Sequence, residues 1–262
     1  MKILFIGDIV GKSGRQIVGK YLPDLIKKYQ IDFVIANGEN ATHGKGLIEH
    51  HYEQLLKMGI DVITLGNHYA SKNEIQDYIE GADCLIRPYN ILKEFPGVGT
   101  AVYEVNDIRI RITNLLGRVF MQEEVKNPFD ALNEIIENEE KTEIHIVDFH
   151  AEATSEKQAL AWAFDGKVTA VLGTHTHVQT HDERVLKNGT AMICDVGMCG
   201  PYHGILGASR DIMIERAWHD TMLRYDVEKE KGAILSAVVL DVNEELGTTN
   251  SIKSISIVDE HI

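Results

Sequence analysis

The chain has 262 residues, 44% of them hydrophobic and 25% charged, with a formal net charge of −14. That length and apolar content suffice for a large core and fit one α/β domain. The acidic balance argues against stable binding to duplex DNA or an anionic membrane, which call for a basic footprint, and three cysteines imply no disulfide framework and point to a reducing cytoplasm.

Residues 3–6 are continuously apolar, too short for a signal peptide or membrane span, and read as a first strand covered on both faces. After the loop Gly7-Asp8-Ile9-Val10-Gly11, residues 14–29 show helical spacing (Ile17, Val18, Leu22, Leu25, Ile26), interrupted by Pro23. A second strand over 32–36 leads into Asn37-Gly38-Glu39-Asn40 and a small-residue loop to Gly46. A helix over 48–58 stops at Gly59, and a third strand over 61–65 leads into Gly66-Asn67-His68. This β-α-β-α-β order predicts a parallel sheet with right-handed crossovers.

The middle of the chain reads differently. Runs 100–105 and 108–115 flank Asn106-Asp107, and the second alternates Ile108, Ile110 and Ile112 with Arg109, Arg111 and Thr113. The pattern predicts an antiparallel hairpin with one wet face. Pro128 and Phe129 open a helix through Ile136, and a strand over 144–149 ends at His150. Ser155-Glu156-Lys157-Gln158 fits a capping box for a helix continuing over 160–164. The apolar run 169–172 stops at Gly173 and is followed by His175 and His177, which would share one face of an extended chain. Asn188-Gly189 signals a hairpin before a strand over 190–194. Residues 211–218 read as a helix, and 233–242 and 251–258 as antiparallel strands joined through Gly247. No linker interrupts the chain, so a single domain over 1–262 is expected, a four-layer α/β/β/α sandwich of two mixed sheets with outer helices.

Five apolar runs therefore end in ligand-type residues: Asp8, Glu39-Asn40, Asn67-His68, His150, and His175 with His177. Each alone has a structural explanation, as a helix cap, a turn residue or a core histidine. Together they match the rule that ligands collect outside the carboxyl ends of strands in open α/β sheets. Seven nitrogen and oxygen ligands are too many for one tetrahedral ion and suit a pair of divalent ions, with Glu39 as the natural bridge. The mixed set, without thiolate, suits manganese, iron or zinc better than magnesium or calcium. Two carboxylates leave such a centre cationic and attractive to phosphate.

These segments resemble the calcineurin-like binuclear metallophosphoesterases, and within them a small bacterial branch of 2′,3′-cyclic-nucleotide phosphodiesterases. The resemblance lies in Gly7-Asp8-Ile9-Val10-Gly11, Ala36-Asn37-Gly38-Glu39-Asn40-Ala41 and Gly66-Asn67-His68. It continues in Asp148-Phe149-His150-Ala151-Glu152-Ala153-Thr154, Gly173-Thr174-His175-Thr176-His177 and Asp195-Val196-Gly197-Met198. Val10 stands where the superfamily usually has a metal-binding histidine, and Glu39 where it usually has a bridging aspartate. The resemblance implies one metal on Asp8, Glu39, Asn40 and His177, and a second on Glu39, Asn67, His150 and His175. It also implies that a hydroxide activated by the metals attacks phosphorus in line while His68 protonates the departing oxygen or stabilises the phosphoryl group. Tyr69-Ala70 departs from the Trp-Asp expected after Gly-Asn-His. Asp148, Glu152 and Asp195 are candidates to hydrogen-bond the ligand imidazoles. Cys194 and Cys199 read as simply buried. The expectation is a phosphodiesterase acting on a small phosphodiester, with homo-oligomer formation left open. The alternatives are a phosphomonoesterase or RNA-end phosphatase on the same centre, or a nucleotide-binding regulatory protein.

Overall fold

Alternate residues of a strand face opposite ways, and in the first strand both sides are buried: Ile3 and Phe5 on one, Leu4 and Ile6 on the other. The computed structural model describes residues 1–262. Its strands are β1 Lys2–Ile6, β2 Asp8–Ile9, β3 Phe33–Asn37, β4 Val62–Thr64, β5 Leu85–Ile86, β6 Thr100–Val105, β7 Ile108–Leu116, β8 Ile144–His150, β9 Ala170–Thr174, β10 Arg184–Val185, β11 Ala191–Ile193, β12 Met198–Pro201, β13 Ala233–Asn243 and β14 Thr248–Asp259. Its helices are α1 Gly11–Tyr29, α2 Glu49–Lys57, α3 Ile75–Tyr78, α4 Pro128–Asn138, α5 Thr154–Ala163 and α6 Arg210–His219.

An eight-stranded sheet runs β2-β12-β13-β1-β3-β4-β5, with β14 paired to β13, and a six-stranded sheet runs β10-β11-β9-β8-β7-β6. Ile3, Phe5, Phe33 and Ile35 of the first sheet meet Ile112, Ile146 and Leu172 of the second, and this apolar layer joins the two. Leu4, Ile6, Val34 and Ala36 face the other way, onto Ile17, Val18 and Leu22 of α1 and Leu55 of α2. On the far side of the second sheet, Val147, Phe149 and Val171 pack on Leu132 of α4 and Leu160 of α5. The expected four-layer α/β/β/α sandwich of two mixed sheets is the fold observed.

The strands β1, β3 and β4 are parallel, as are β7, β8, β9 and β11. The carboxyl ends of both parallel sets therefore carry the loops where the ligand-type residues sit. Three local expectations need correction. The helix α1 starts three residues earlier than expected and runs through Pro23. The buried face of Ile17, Val18, Leu22 and Leu25 spans the proline on both sides, so packing outweighs the one hydrogen bond it removes. The capping box does not form: α5 has Ala153 at its N-cap with no side-chain cap, and Glu156 instead accepts from the backbone N–H groups of Arg118 and Val119. The wet face of the β6–β7 hairpin is only partial: Val102, Glu104 and Arg109 reach solvent, but Arg111 is buried and donates to the Glu140 carbonyl, just beyond α4.

Candidate metal centre

Asp8 opens the short strand β2, held beside Met198 of β12 in parallel register. Its carboxylate is fully buried. Oδ2 accepts the His175 N–H at 3.2 Å, while Oδ1 has no hydrogen-bond partner at all. A buried carboxylate oxygen left without a donor is costly unless a cation meets it. Two imidazole nitrogens approach that orphan, His177 Nε2 at 3.8 Å and His150 Nδ1 at 3.9 Å.

Glu39, in the turn after β3, is also buried, and its Oε2 accepts the backbone N–H of His68 at 2.9 Å. Its other oxygen, Oε1, lies 3.3 Å from His150 Nε2, 3.3 Å from His68 Nδ1 and 2.9 Å from Asn40 Nδ2. One oxygen, not two, thus faces both groups of candidate ligands. Around His150 Nε2 gather Asn67 Oδ1 at 3.0 Å and His175 Nδ1 at 3.0 Å. Donor atoms of Glu39, His150 and His175 all lie within 4.8 Å of one another, the spacing of a shared ion.

Gly66 makes this convergence possible. A Cβ there would lie 2.4 Å from Glu39 Oε2 and 2.4 Å from His150 Nε2. Asn40 is the one member that turns the wrong atom inward. Its Nδ2 faces Glu39 Oε1 and, at 3.2 Å, His177 Nε2, while its Oδ1 lies 2.8 Å from His68 Nδ1. A half-turn of the amide exchanges the two atoms in place and supplies a ligating oxygen.

The electrostatics describe a nest that lacks positive charge. Burial opposes a charged His150, but the carboxylates of Glu39, Asp8 and Asp148 outweigh it and lift the imidazole to about 9. Burial, together with the charge on His150, drives His175 down to about 3. Burial also raises Asp8, against the pull of His177 and His150. Burial works against a charged Glu39 as well, yet His150 and His68 hold it well below the usual carboxylate range. Neighbouring imidazoles competing for one proton beside two buried carboxylates form a donor set that divalent cations satisfy better.

The turn carrying His175 and His177 is not an extended strand end. Both residues have positive φ, 101° and 65°, and the two rings meet different members of the nest, His175 Nδ1 approaching His150 Nε2 and His177 Nε2 approaching Asn40 Nδ2. The turn is held from behind by Asp195, whose Oδ2 accepts the Thr176 N–H at 2.9 Å and whose Oδ1 accepts the Gly197 N–H at 2.8 Å. Lys157, buried in α5, donates to the same Asp195 Oδ2 at 2.9 Å. Of the three acids expected to touch the imidazoles, only Glu152 does so directly, 3.1 Å from His175 Nε2. Asp195 holds the backbone instead. Asp148 acts through Thr174, whose hydroxyl donates to Asp148 Oδ1 at 2.7 Å and accepts from His150 Nδ1 at 2.9 Å. Once the ring is neutral, this chain of hydrogen bonds keeps the proton on Nδ1 and turns the Nε2 lone pair to the nest. Asn37 Nδ2 and the Thr64 hydroxyl donate to Asp148 Oδ2 from the other sheet, and burial lifts that carboxyl to about 6.

The structure thus brings Asp8, Glu39, Asn40, Asn67, His150, His175 and His177 into one cluster, and Glu39, Asn40, His175 and His177 line a cleft together with His68. Tyr69 turns to an edge-on contact with Phe95, ring centroids 4.8 Å apart, and Ala70 is exposed. Thr174 and Lys157 escaped the sequence reading because neither is a ligand type. Their only signal was a polar residue inside an otherwise apolar strand or helix face. Cys194 and Cys199 are free and buried.

A family profile described as a YmdB-like protein matches residues 4–255. The chain is 46% identical over 263 residues to a Bacillus subtilis (strain 168) protein named 2′,3′-cyclic-nucleotide 2′-phosphodiesterase, covering 100% of this chain and 99% of that one. A Mycoplasma pneumoniae crystal structure described as a novel phosphatase superposes with a TM-score of 0.94 at 42% identity, covering 100% of this chain and 94% of the other. A hypothetical protein from Thermus thermophilus superposes with a TM-score of 0.92 at 39% identity, over 99% of this chain and 100% of the other.

Proposed function

The chain belongs to the YmdB-like family, related to the metallophosphoesterases, and we propose that it is a metal-dependent phosphodiesterase opening 2′,3′-cyclic nucleotides. The observation that carries this is the nest itself: buried Asp8 with an orphaned oxygen, buried Glu39 with one oxygen facing two groups of ligands, and three imidazoles around them. Because both sheets contribute, residues 1–262 act as one metallophosphoesterase domain.

Asp8, Glu39, Asn40 and His177 would hold one divalent ion and Glu39, Asn67, His150 and His175 the other, with iron or manganese suited to the mixed donors and zinc a third choice. Bound there, the pair supplies Lewis acidity, which neutralises phosphoryl charge and makes water acidic enough to attack at neutral pH. The chain supplies position and a proton. With its Nδ1 occupied by Asn40 and Glu39, His68 keeps Nε2 free, and this nitrogen donates the proton to the departing sugar oxygen. Glu152 and the Thr174–Asp148 pair fix the orientation of His175 and His150. The three free thiols suit a reducing cytoplasm.

Purified protein loaded separately with manganese and with iron is incubated with 2′,3′-cyclic nucleotides and the products separated by chromatography. The expected product is the nucleoside 3′-monophosphate, from rupture of the P–O2′ bond. Hydrolysis of monoesters without any opening of the cyclic diester transfers the assignment to a phosphomonoesterase, the reading that the description of the Mycoplasma structure favours.

A further inference from the structure

The cleft at the candidate centre has a volume of about 550 Å³ and is lined by two unlike sets of residues. One is the polar nest. The other is apolar, built from Val178, Ile205, Leu206, Met213 and the ring of Tyr225. These side chains are not core: Val178 is 57% exposed and Leu206 46%. Single exposed apolar residues need no explanation, but several lining one concavity beside a polar centre mark a binding surface. The wall is fastened to the nest, because His177 Nδ1 donates to the Leu206 carbonyl at 2.9 Å. Leu206 adopts a positive φ of 53° in making that approach. Tyr225 in turn lies over the loop that follows Asn40: a Cβ added at Gly44 would sit 3.3 Å from its Cε1.

We infer that this wall is the nucleobase subsite, with the phosphate over the nest and the heterocycle laid against Leu206, Ile205, Met213 and Tyr225. The inference rests on the cyclic-nucleotide reading above. Of the wall's side chains only Tyr225 carries a strong hydrogen-bonding group. Telling one base from another requires donors and acceptors matched to its edge, whereas every base has a π-face that an apolar wall or an aromatic ring accepts. The subsite therefore selects nucleotides over base-free cyclic phosphates and tolerates all the common bases.

Kinetics of the metal-loaded full chain compare adenosine 2′,3′-cyclic phosphate with glycerol 1,2-cyclic phosphate, which has the strained diester and no base. The wild type is expected to prefer the nucleotide, chiefly through KM. M213Q and I205S, both at the surface, reduce that preference by about tenfold, and Y225S by about ten- to a hundredfold, as for loss of a stacking platform. Adenosine, titrated to millimolar concentration and followed by NMR, gives a readout that needs no turnover: it binds the wild type and binds the variants more weakly. If neither diester is cleaved but adenosine behaves in this way, the catalytic reading falls and the subsite stands. Absence of adenosine binding to the wild type, equal binding to the variants, or equal loss on both diesters overturns the subsite.

Discussion

Gly66 and His68 flank Asn67, and the three do different work within one turn. At Gly66 the backbone passes so close to the Glu39 carboxylate and to His150 that a single methyl group would press on Glu39 Oε2 and His150 Nε2 together. Gly66→Ala is therefore expected to lower the metal content by about one ion per chain while leaving the fold intact, measured by elemental analysis beside circular dichroism; full metal content would show that the nest is not where the metal binds. Asn67 and His68 separate binding from proton transfer. Asn67 Oδ1 lies 3.0 Å from His150 Nε2, whereas His68 lines the cleft. We expect His68→Ala to keep near-normal metal content and to lose about 10²–10⁴-fold in turnover, less on a nitrophenyl ester whose leaving group needs no proton. Asn67→Ala should weaken one metal site and depress both substrates together. Equal loss on activated and unactivated substrates in His68→Ala would instead make His68 a phosphoryl-binding group. These candidates were legible in the sequence because each is a ligand-type residue at the end of an apolar run. Thr174, Lys157 and the Leu206 carbonyl were not, since they act through a neighbour that only the folded chain supplies.

Among the elements, α5 and the turn after β9 show how a sequence signal can be right in place and wrong in role. The Ser155-Glu156-Lys157-Gln158 segment does begin a helix, at Thr154–Ala163, but its charged residues face inward. Glu156 ties down the loop after β7, and Lys157 reaches Asp195 behind the His175-Thr176-His177 turn. Capping chemistry was the local reading, and tertiary contacts claimed the same side chains. With Lys157 and Asp195 both buried, removing one partner strands the other. Lys157→Met is expected to destabilise the fold by about 3–5 kcal/mol. Adding Asp195→Asn should recover part of that loss, and urea unfolding of the single and double variants measures it. A loss in Lys157→Met below about 1 kcal/mol, the worth of a surface pair, would mean that the pair does not hold the turn. The His-x-His spacing misled for a related reason. Alternation predicts that two residues share a face, but it holds only in extended backbone, and His175 and His177 have left it.

At the scale of the whole molecule, the order of strands and helices was readable because the periodicities of the apolar residues are local. The convergence of two sheets on one site came from the family resemblance and not from those periodicities. Pairings such as Asp8 with Met198, or β1 with β13, join residues far apart in the chain, and no spacing in the sequence encodes them. The site draws Asp8 from β2 and Glu39, Asn40 and Asn67 from loops of the first sheet, and His150, His175 and His177 from the second. Between the sheets lies an apolar layer, and at this end Asn37 and Thr64 reach across it to Asp148. Metal held by ligands from both sheets would fasten them together, and an unfolded chain offers no such arrangement. Binding free energy then adds to folding free energy as RT ln(1 + [metal]/Kd), about 4 kcal/mol at a thousandfold excess over Kd. Protein stripped with a chelator should melt at lower temperature, and the melting temperature should rise with the logarithm of added manganese above Kd. Asp8→Ala should show a smaller rise, because it loses one ligand set. A melting temperature indifferent to metal in the wild type, despite measured binding, would mean that the unfolded chain binds the ions as well as the folded one, and that the folded arrangement of ligands from both sheets is not what holds them.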